Sequence, residues 1–475
     1  MKLHTLTSAL ALTGLLSACS MAPKYETPLA PVATNWAVPA GVRTPGNEVA
    51  LPIRWQQFFH HAQLREVIQF TLDNNRDLRA AALNVQAFQA LYRIQKSQNL
   101  PSVGVQGSGA RQRVPADLAA APRAVVSGNY SVGLGIAAYE LDLFGRVSSL
   151  NEQALQQYLS MDSTHKATQL SLVAAAANAW MTWQADLQML EVVTRTLAAN
   201  EQALELVVSQ VENGIATELQ RYQAQTAVDS ARAQHAQFTR TVEQDLNALQ
   251  VLVGTELPAS VRSARALPQD WQLADLPVGL PSQVLAQRPD ILAAEQQLRA
   301  ANANIGAARA AFFPSISLTA SAGTSSRELS GLFEGGSGAW SFAPQINIPL
   351  FSAGRLSANL DYATLQKDLR VAQYEKSIQD AFREVSDGLS AQRTYELQVD
   401  ANQQLVQTST KYLDLAQLRY QSGVDSYLTV IDAQRTLLSS ELQAIQVSLQ
   451  QALSEVQLFK ALGGGVLSGS DSGKS

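Results

Sequence analysis

The sequence predicts an α+β membrane protein: an internally duplicated protomer whose strands join those of its neighbours in a closed transmembrane β-barrel, set on a long α-helical barrel. Three observations predict it. Two very long stretches run without proline in an apolar 3-4 rhythm, four short segments alternate apolar with small polar residues, and the second half of the chain repeats the first.

The clearest helical stretch begins at about 355 and runs to 421. A tight turn at Ser422-Gly423-Val424-Asp425 follows, and a second helix returns to 462. The first limb carries Leu365, Leu369, Ala372, Ile378, Phe382, Val385 and Leu389, with Gly388 as its only internal glycine. The returning limb carries Leu438, Leu442, Ile445, Leu449, Ala452, Val456 and Phe459. Steps of three and four in alternation describe a coiled-coil seam rather than a broad globular face. At 1.5 Å per residue the first limb reaches roughly 100 Å, too long for a compact domain, so its partners must be other long helices. The first copy offers the same design. A long helix over about 147–212 bears Leu170, Val173, Ala177 and Trp180, a turn occupies 213–216, and a helix returns to 254.

The strands are expected in pairs at about 102–138 and 315–350. Tyr130, Val132, Leu134 and Ile136 alternate with Ser131, Gly133, Gly135 and Ala137. Ile316, Leu318, Ala320 and Ala322 alternate with Ser315, Ser317, Thr319 and Ser321. Trp340, Phe342, Ile346, Ile348 and Leu350 continue the pattern, and Val103 with Val105 is its weakest instance. Period two with one apolar face suits a half-buried soluble sheet and also a barrel strand between lipid and water. The chain holds no globular core for that face to cover, which favours the barrel. Backbone groups in a bilayer must all pair, so the sheet has to close, and four strands are too few. Eight strands from a dimer would fill their own interior, whereas twelve from a trimer leave room for water. Small inner-face residues fit the twelve-stranded trimer.

The duplication sets the domain boundaries. Asp77-Leu78 through Leu100-Pro101-Ser102-Val103 recurs as Asp290-Ile291 through Phe313-Pro314-Ser315-Ile316. Leu143-Phe144-Gly145-Arg146 recurs as Leu350-Phe351-Ser352-Ala353-Gly354-Arg355, and Asn213-Gly214-Ile215 as Ser422-Gly423-Val424. Val253-Gly254 and Leu462-Gly463 close the two copies. Internal repeats decide a fold before other signals. The first copy is therefore 62–254 and the second 281–463. Between them 255–280, with Pro258, Pro268 and Pro277, is a connector without periodicity, and 464–475 is a C-terminal tail.

Composition and the N-terminus supply the address. Apolar residues make up 46% but aromatics only 7%, which favours close helix packing, and a net charge of −5 argues against nucleic acid. Residues 1–18 form a secretory signal, with Lys2, an apolar Leu6–Leu16 and small residues before Cys19. Cys19 is the only cysteine, so no intramolecular disulfide is expected, and its place after the cleavage point marks it for lipidation. Acyl chains at about 0.8 kcal/mol per buried methylene would anchor the mature chain to outer membrane lipid. Residues 19–61 form the strap from that anchor, and from Ser20 to about Ile53 the proline-rich chain reads as extended. No noncovalent cofactor and no metal site is expected.

These motifs together resemble the outer membrane factor family, relatives of TolC, and within it lipoproteins of the OprM type. The resemblance is carried by the box at Cys19, by Tyr139-Glu140-Leu141-Asp142-Leu143-Phe144-Gly145-Arg146, by Asn302 to Pro314 and by Phe459-Lys460-Ala461-Leu462-Gly463-Gly464-Gly465. It implies a homotrimeric channel in the outer membrane of a Gram-negative bacterium, with twelve strands above a periplasmic helical barrel. It also implies a tripartite efflux pump, completed by a periplasmic adaptor (membrane fusion) protein and an inner-membrane transporter of the resistance-nodulation-division type. Small molecules such as antibiotics would be the cargo. The exit duct of a type I protein secretion system and a coiled-coil envelope lipoprotein without a pore are the alternatives.

The gate is expected where the two helical turns meet. Leu428, Asp432 and Arg435 stand at i, i+4 and i+7 and share one helix face, so a trimer would repeat each as a ring. The resemblance assigns Asp432 and Tyr420 to a periplasmic constriction. The first copy holds Gln223 and Val211 there, so only the second supplies the charge and the phenol. Asp425 stands where some relatives carry a base. The turns themselves, Asn213 and Gly214 with Gly423, Val424 and Asp425, are the expected adaptor contacts. An enzyme is not expected: His60, His61, His165 and His235 form no ligand-spaced pair, and no nucleophile elbow or Walker loop occurs.

Overall fold

The computed structural model describes residues 21–36, 54–117, 123–262, 271, 273–274, 276 and 282–464. The signal 1–18, Cys19 and the tail beyond 464 lie outside the described residues, as do parts of the strap and connector. The elements run α1 Trp55–Phe58, α2 Ala62–Asn74, α3 Arg76–Ser97, β1 Val103–Val114, β2 Val125–Leu141, α4 Arg146–Glu212, α5 Glu218–Val253 and α6 Ala259–Arg262. A 3-10 turn, Ser282–Gln287, leads into α7 Pro289–Ala310, β3 Ser315–Ser326, β4 Gly338–Asn347, α8 Arg355–Gln421 and α9 Tyr427–Ala461. The chain divides into two compact units, one of Met1–Leu29, Asn84–Met161 and Ala293–Tyr374, the other of Ala30–Leu83, Asp162–Leu292 and Glu375–Ser475.

The first unit holds the sheet, antiparallel in the order β1-β2-β3-β4. Its register aligns the sequence alternation of all the strands. Val105, Leu134, Ala322 and Trp340 form one row, and Val103, Ile136, Ala320 and Phe342 form the next. The opposite face is polar, with Ser108 and Ser131 hydroxyls 2.8 Å apart and those of Ser321 and Ser341 2.7 Å apart. A one-residue slip would invert both faces, so these rows pin the register. At β2 the expected end near 138 is too early. A bulge between Ile136 and Tyr139, with Ala138 at φ 47, restores pairing through Leu141. The extra residue returns Tyr139 and Leu141 to the apolar face. At β4 the expected end at 350 is too late: the strand stops at Asn347, two residues before Pro349, which has no N–H for a ladder. In the same unit the strap lies along α7. Asn302 Nδ2 donates to the Pro23 carbonyl at 2.8 Å, and the Arg299 guanidinium sits 4.8 Å from the Tyr25 ring centre.

The second unit is helical and contains the aromatic core. Phe58 stacks on Phe459 at 4.4 Å, Phe59 meets the same ring edge-on at 5.9 Å, and Trp180 and Met181 are fully enclosed. This places a helical turn at the end of the 19–61 strap segment, beyond the proline-rich run that closes near 53. Its end, Trp-Gln-Gln-Phe-Phe, is apolar enough to fold as α1 and bury both phenylalanines. The connector packs in this unit as well. It carries the short helix α6, Leu257 and Val261 are buried, and Trp271 Nε1 donates to Ser448 Oγ at 3.1 Å. Packing here is non-periodic, so no period announced it.

Helices α4 and α8 are each 67 residues long. The α4 seam of Leu170, Val173, Ala177 and Trp180 is buried, as is Ile445–Phe459 of the α9 seam. The α8 seam is only half as expected. Ile378, Val385 and Leu389 are buried, whereas Leu365 is 65% and Leu369 47% exposed within one chain. Gly388 has a packing reason, since a Cβ there would lie 2.9 Å from Leu458 Cδ1. Its roughly 1 kcal/mol propensity cost is offset by that close helix approach.

Candidate functional site: the paired helical turns

Both turns belong to the second unit and share one backbone. In the first, Gly214 N–H donates to Val211 O at 3.0 Å and Ile215 N–H to Gln210 O at 2.8 Å. In the second, Gly423 N–H donates to Tyr420 O at 2.9 Å and Val424 N–H to Arg419 O at 2.9 Å. Gly214 and Gly423 both sit at φ 72, in the left-handed region where a side chain is strained. This double bond after a left-handed glycine is the Schellman helix end. Asn213, one residue earlier, bonds back through Nδ2 to Ser209 O at 2.7 Å. Ile215 and Val424 are 77% and 61% exposed, so each turn presents one apolar side chain outward.

The side chains around these identical turns differ. After the first turn, Thr217 and Gln220 form a capping box at the start of α5. After the second, Ser426 makes no side-chain cap, and Asp425 is instead gripped by Arg419, with oxygen contacts of 2.6 and 2.9 Å. That guanidinium holds the Asp425 carboxyl below its usual range, and the carboxylate raises the Arg419 pKa. The base that the sequence lacks beyond Gly423 is therefore supplied from before it. Because Gln210 occupies the Arg419 position in the first copy, the duplication carried the signal for this pair.

Tyr420 and Asp432 are not joined to each other. Tyr420 Oη donates to Gln210 Oε1 at 3.1 Å, linking α8 to α4, and its ring lies 5.3 Å from that of Tyr427. Burial, then the nearby Tyr420, raises the Tyr427 pKa. Beneath them Val207, Ala224, Ala416, Tyr427, Val430 and Ile431 form a small apolar core, with Val211 and Tyr420 packed against it. Asp432 is exposed and accepts from Tyr412 Oη at 3.0 Å, a bond that raises the Tyr412 pKa. Tyr412 was not singled out by sequence, because α8 pattern alone does not say which phenol faces α9. Leu428 is 56% exposed. Arg435 lines an open groove of about 380 Å³ with Thr196, Asn200, Ala231 and Gln234. Leu428, Asp432 and Arg435 thus share the exposed part of α9 but serve different neighbours.

At the other end of the same hairpins the duplication recurs in a form the sequence did not disclose. Asn75 Nδ2 donates to the Leu252 carbonyl at 2.8 Å, and Arg288 donates to the Ala461 carbonyl at 2.8 Å. Each stands directly before the helix that leads to its copy's strands, α3 or α7, and ties down the last turn of that copy's returning helix. Arg288, only 6% exposed at its side chain, also pairs with Asp290 at 2.7 Å and Glu384 at 2.9 Å. Burial pushes the Asp290 carboxyl up, but the hydrogen bond and the charge of Arg288, together with backbone N–H donors, outweigh it and lower the pKa. These contacts close mechanical latches. Among the described residues, no His, Cys, Asp or Glu cluster could hold a metal, and no helix is long and apolar enough to cross a membrane.

Comparison with known proteins agrees with this architecture. The family model described as "Outer membrane efflux protein" matches residues 67–255 and again 280–464, one match for each copy. The toluene efflux pump outer membrane protein TtgC of Pseudomonas putida is 52% identical over 453 residues, covering 95% of this chain and 93% of that one. The antibiotic efflux pump outer membrane protein ArpC of Pseudomonas putida is 51% identical over the same length, with the same coverage. The crystal structure of the open state of the MtrE outer membrane channel of Neisseria gonorrhoeae superposes with a TM-score of 0.83 at 37% identity, covering 94% of this chain and 99% of that one.

Proposed function

The chain belongs to the outer membrane efflux protein family, and from that premise we propose that three copies close twelve strands into one water-filled channel through the outer membrane. The family is a transport family and not an enzyme family. One observation carries the proposal. The sheet presents an apolar face over the rows from Ile316 to Ala322, and β1 and β4 are each paired on one side only among the described residues. Trp340, Phe342 and Ile346 are 80%, 60% and 62% exposed on that face. A bilayer covers such a face, and only further strands can satisfy such edges. Leu365 and Leu369, bare in one chain, are sites for lateral packing of α8 against another copy.

The channel serves as the exit duct of a tripartite pump, receiving small molecules from an inner-membrane transporter of the resistance-nodulation-division type through a periplasmic adaptor. Relatives named for toluene and antibiotic efflux support small, largely apolar cargo over a polypeptide. Acylation of Cys19 anchors the mature N-terminus to outer membrane lipid, and the turns at Asn213, Gly214, Gly423, Val424 and Asp425 receive the adaptor. In the resting state the Tyr420–Gln210 and Tyr412–Asp432 bonds hold α8 and α9 to their neighbours. Each contributes about 1 kcal/mol net, a small sum that adaptor binding can outweigh. Three Asp432 carboxylates around one axis attract cations.

Purified protein in planar bilayers tests the reading, with its mass in detergent measured alongside. A trimer that conducts ions, with open probability raised by Tyr420→Phe and Asp432→Ala, is the expected result. A monomer without conductance would overturn the channel. A conducting trimer indifferent to both substitutions would overturn the gate alone.

A further inference from the structure

We propose that the channel wall carries a weak binding site for aromatic molecules that bear an acidic group, built on Tyr362 and Arg370 where α3, α4, α7 and α8 face the lumen. The site's place in the lumen rests on the channel reading. What it adds is where cargo pauses and which cargo chemistry the wall favours.

These four helices line a concavity of about 410 Å³, and every lining residue belongs to the first unit. Two observations turn it toward the lumen. On α7 the strap takes one side: Asn302 bonds to Pro23, Arg299 covers the Tyr25 ring, and a Cβ at Gly306 would lie 2.7 Å from the Ala22 nitrogen. Gln297, Ala300, Ala301 and Asn304 line the concavity, roughly half a turn away around the same helix. A strap leading from a membrane anchor runs outside a tube, so the opposite face is the inner one. The duplication agrees. Tyr362, Gln366 and Arg370 stand at the same offset from Gln153, Gln157 and Met161 as Arg355 does from Arg146, and all six line the concavity. Ala301 is likewise the counterpart of Phe88, by the offset that joins Asp77 to Asp290. Copies of one helix set around an axis turn equivalent positions toward it.

The lining chemistry selects the ligand. Arg370 is the only charged side chain in it. Its Nη1 donates to Gln297 Oε1 at 2.7 Å and to Gln373 Oε1 at 2.8 Å, and both partners are neutral amides. Among the described residues no carboxylate pairs with this guanidinium, so Nε and Nη2 keep donors for an incoming anion. Tyr362, 61% exposed, offers an open ring to the same space. Just over two turns of α8 separate the two, about 12 Å along the axis, so both side chains reach the ends of a two-ring aromatic acid. The glutamines between them bond equally well to water. The site therefore holds cargo without trapping it, as a conducting path requires.

Equilibrium dialysis of the full-length protein in lipid nanodiscs against naphthalenesulfonate, read by the probe's own fluorescence, tests the site, with empty discs as the blank. Saturable binding is expected. Arg370→Gln should weaken it roughly tenfold, the loss of one charge-assisted contact, and Tyr362→Ala about fivefold. Arg370→Lys, which keeps the charge, should recover most of the affinity. Arg309→Gln removes a charge on the strap side of α7 and should change nothing. The neutral naphthalenemethanol should bind the wild type as poorly as the sulfonate binds Arg370→Gln. Conductance in planar bilayers is recorded from the same preparations. A conducting protein that holds no probe beyond the blank, or holds it unchanged by Arg370→Gln and Tyr362→Ala, overturns the site and leaves the channel standing. Protein that binds the probe as expected but never conducts overturns the lumenal placement and the channel reading together.

Discussion

The two hairpins of this chain share a backbone and differ in what holds them. Gly214 and Gly423 end their helices with the same pair of hydrogen bonds, and Asn75 and Arg288 grip equivalent carbonyls at the far ends. The first copy does this with amides and hydroxyls, namely Asn75, Gln210 and Thr217. The second uses charges and phenols: Arg288 with Glu384, Arg419 with Asp425, and Tyr412 with Asp432. Duplication therefore preserved the geometry, and divergence placed charged contacts at the turn and at the latch of the second copy. A hairpin held by charge responds to neighbouring charge.

The largest effect should come from the buried latch. Arg288→Met leaves Asp290, Glu384 and the Ala461 carbonyl without their shared partner. Breaking such a pair from one side costs on the order of 3–5 kcal/mol. Asn75→Ala, removing two neutral bonds, one to the Leu252 carbonyl and one from the Leu78 N–H, should cost about 1–3 kcal/mol. Denaturant melts of both variants test the ranking, and equal losses would erase the difference between the copies.

Next comes the link between the hairpins. Tyr420→Phe keeps the ring in its apolar core and removes only the bond to Gln210. A loss of about 1 kcal/mol per chain corresponds to roughly fivefold in an opening equilibrium, read as open probability in single-channel records. Gln210→Ala should match it.

A carboxylate pair gives the first copy its own pH sensitivity. Burial, reinforced by the neighbouring Asp245, pushes the Asp186 carboxyl up to about 7 from an ordinary value of 3.8. The equivalent positions in the second copy hold Tyr395 and Ser454. Because the folded chain keeps a proton that the unfolded chain releases, stability falls as pH rises from about 4 to about 7. Asp186→Asn should flatten that slope and stabilise the neutral-pH fold by on the order of 1 kcal/mol, after discounting for a site that remains half solvated. Thermal melts at pH 4.5 and pH 7.5 measure it. An unchanged slope would mean the protonation lies elsewhere.

The smallest change is expected at the Arg419–Asp425 clamp, which is solvent-exposed and screened by salt. Arg419→Ala should leave melting unchanged but speed proteolytic nicking at 422–425. The Asp425 pKa is depressed, so the clamp is complete above the ordinary carboxylate range and is lost only as pH falls below it. A matching rise in nicking at 213–216 would show that Arg419 is not specific to its own turn.

Much of this architecture was legible in the residues. The α8 limit at Gln421, the glycine turns and the sheet alternation all follow from periods and from single glycines that no other residue replaces cheaply. Tyr420, Leu428, Asp432 and Arg435 could be named as candidates, but their partners could not. Gln210 lies in the other hairpin from Tyr420, and Tyr412 is one phenol among several on α8. Arg288 carries no local signal, because its three partners are scattered at 290, 384 and 461.

By itself the sequence determined what repeats locally: two copies, their helix lengths, the two-sided strands and the turns, since each depends on neighbours a few residues apart. The tertiary structure alone decided the rows across the sheet, the bulge after Ile136, the burial of Phe58 and Phe59, and the choice of Gln210 and Tyr412 as partners. Those depend on which distant surfaces meet, and a pattern periodic along one helix or strand is silent about what lies across from it.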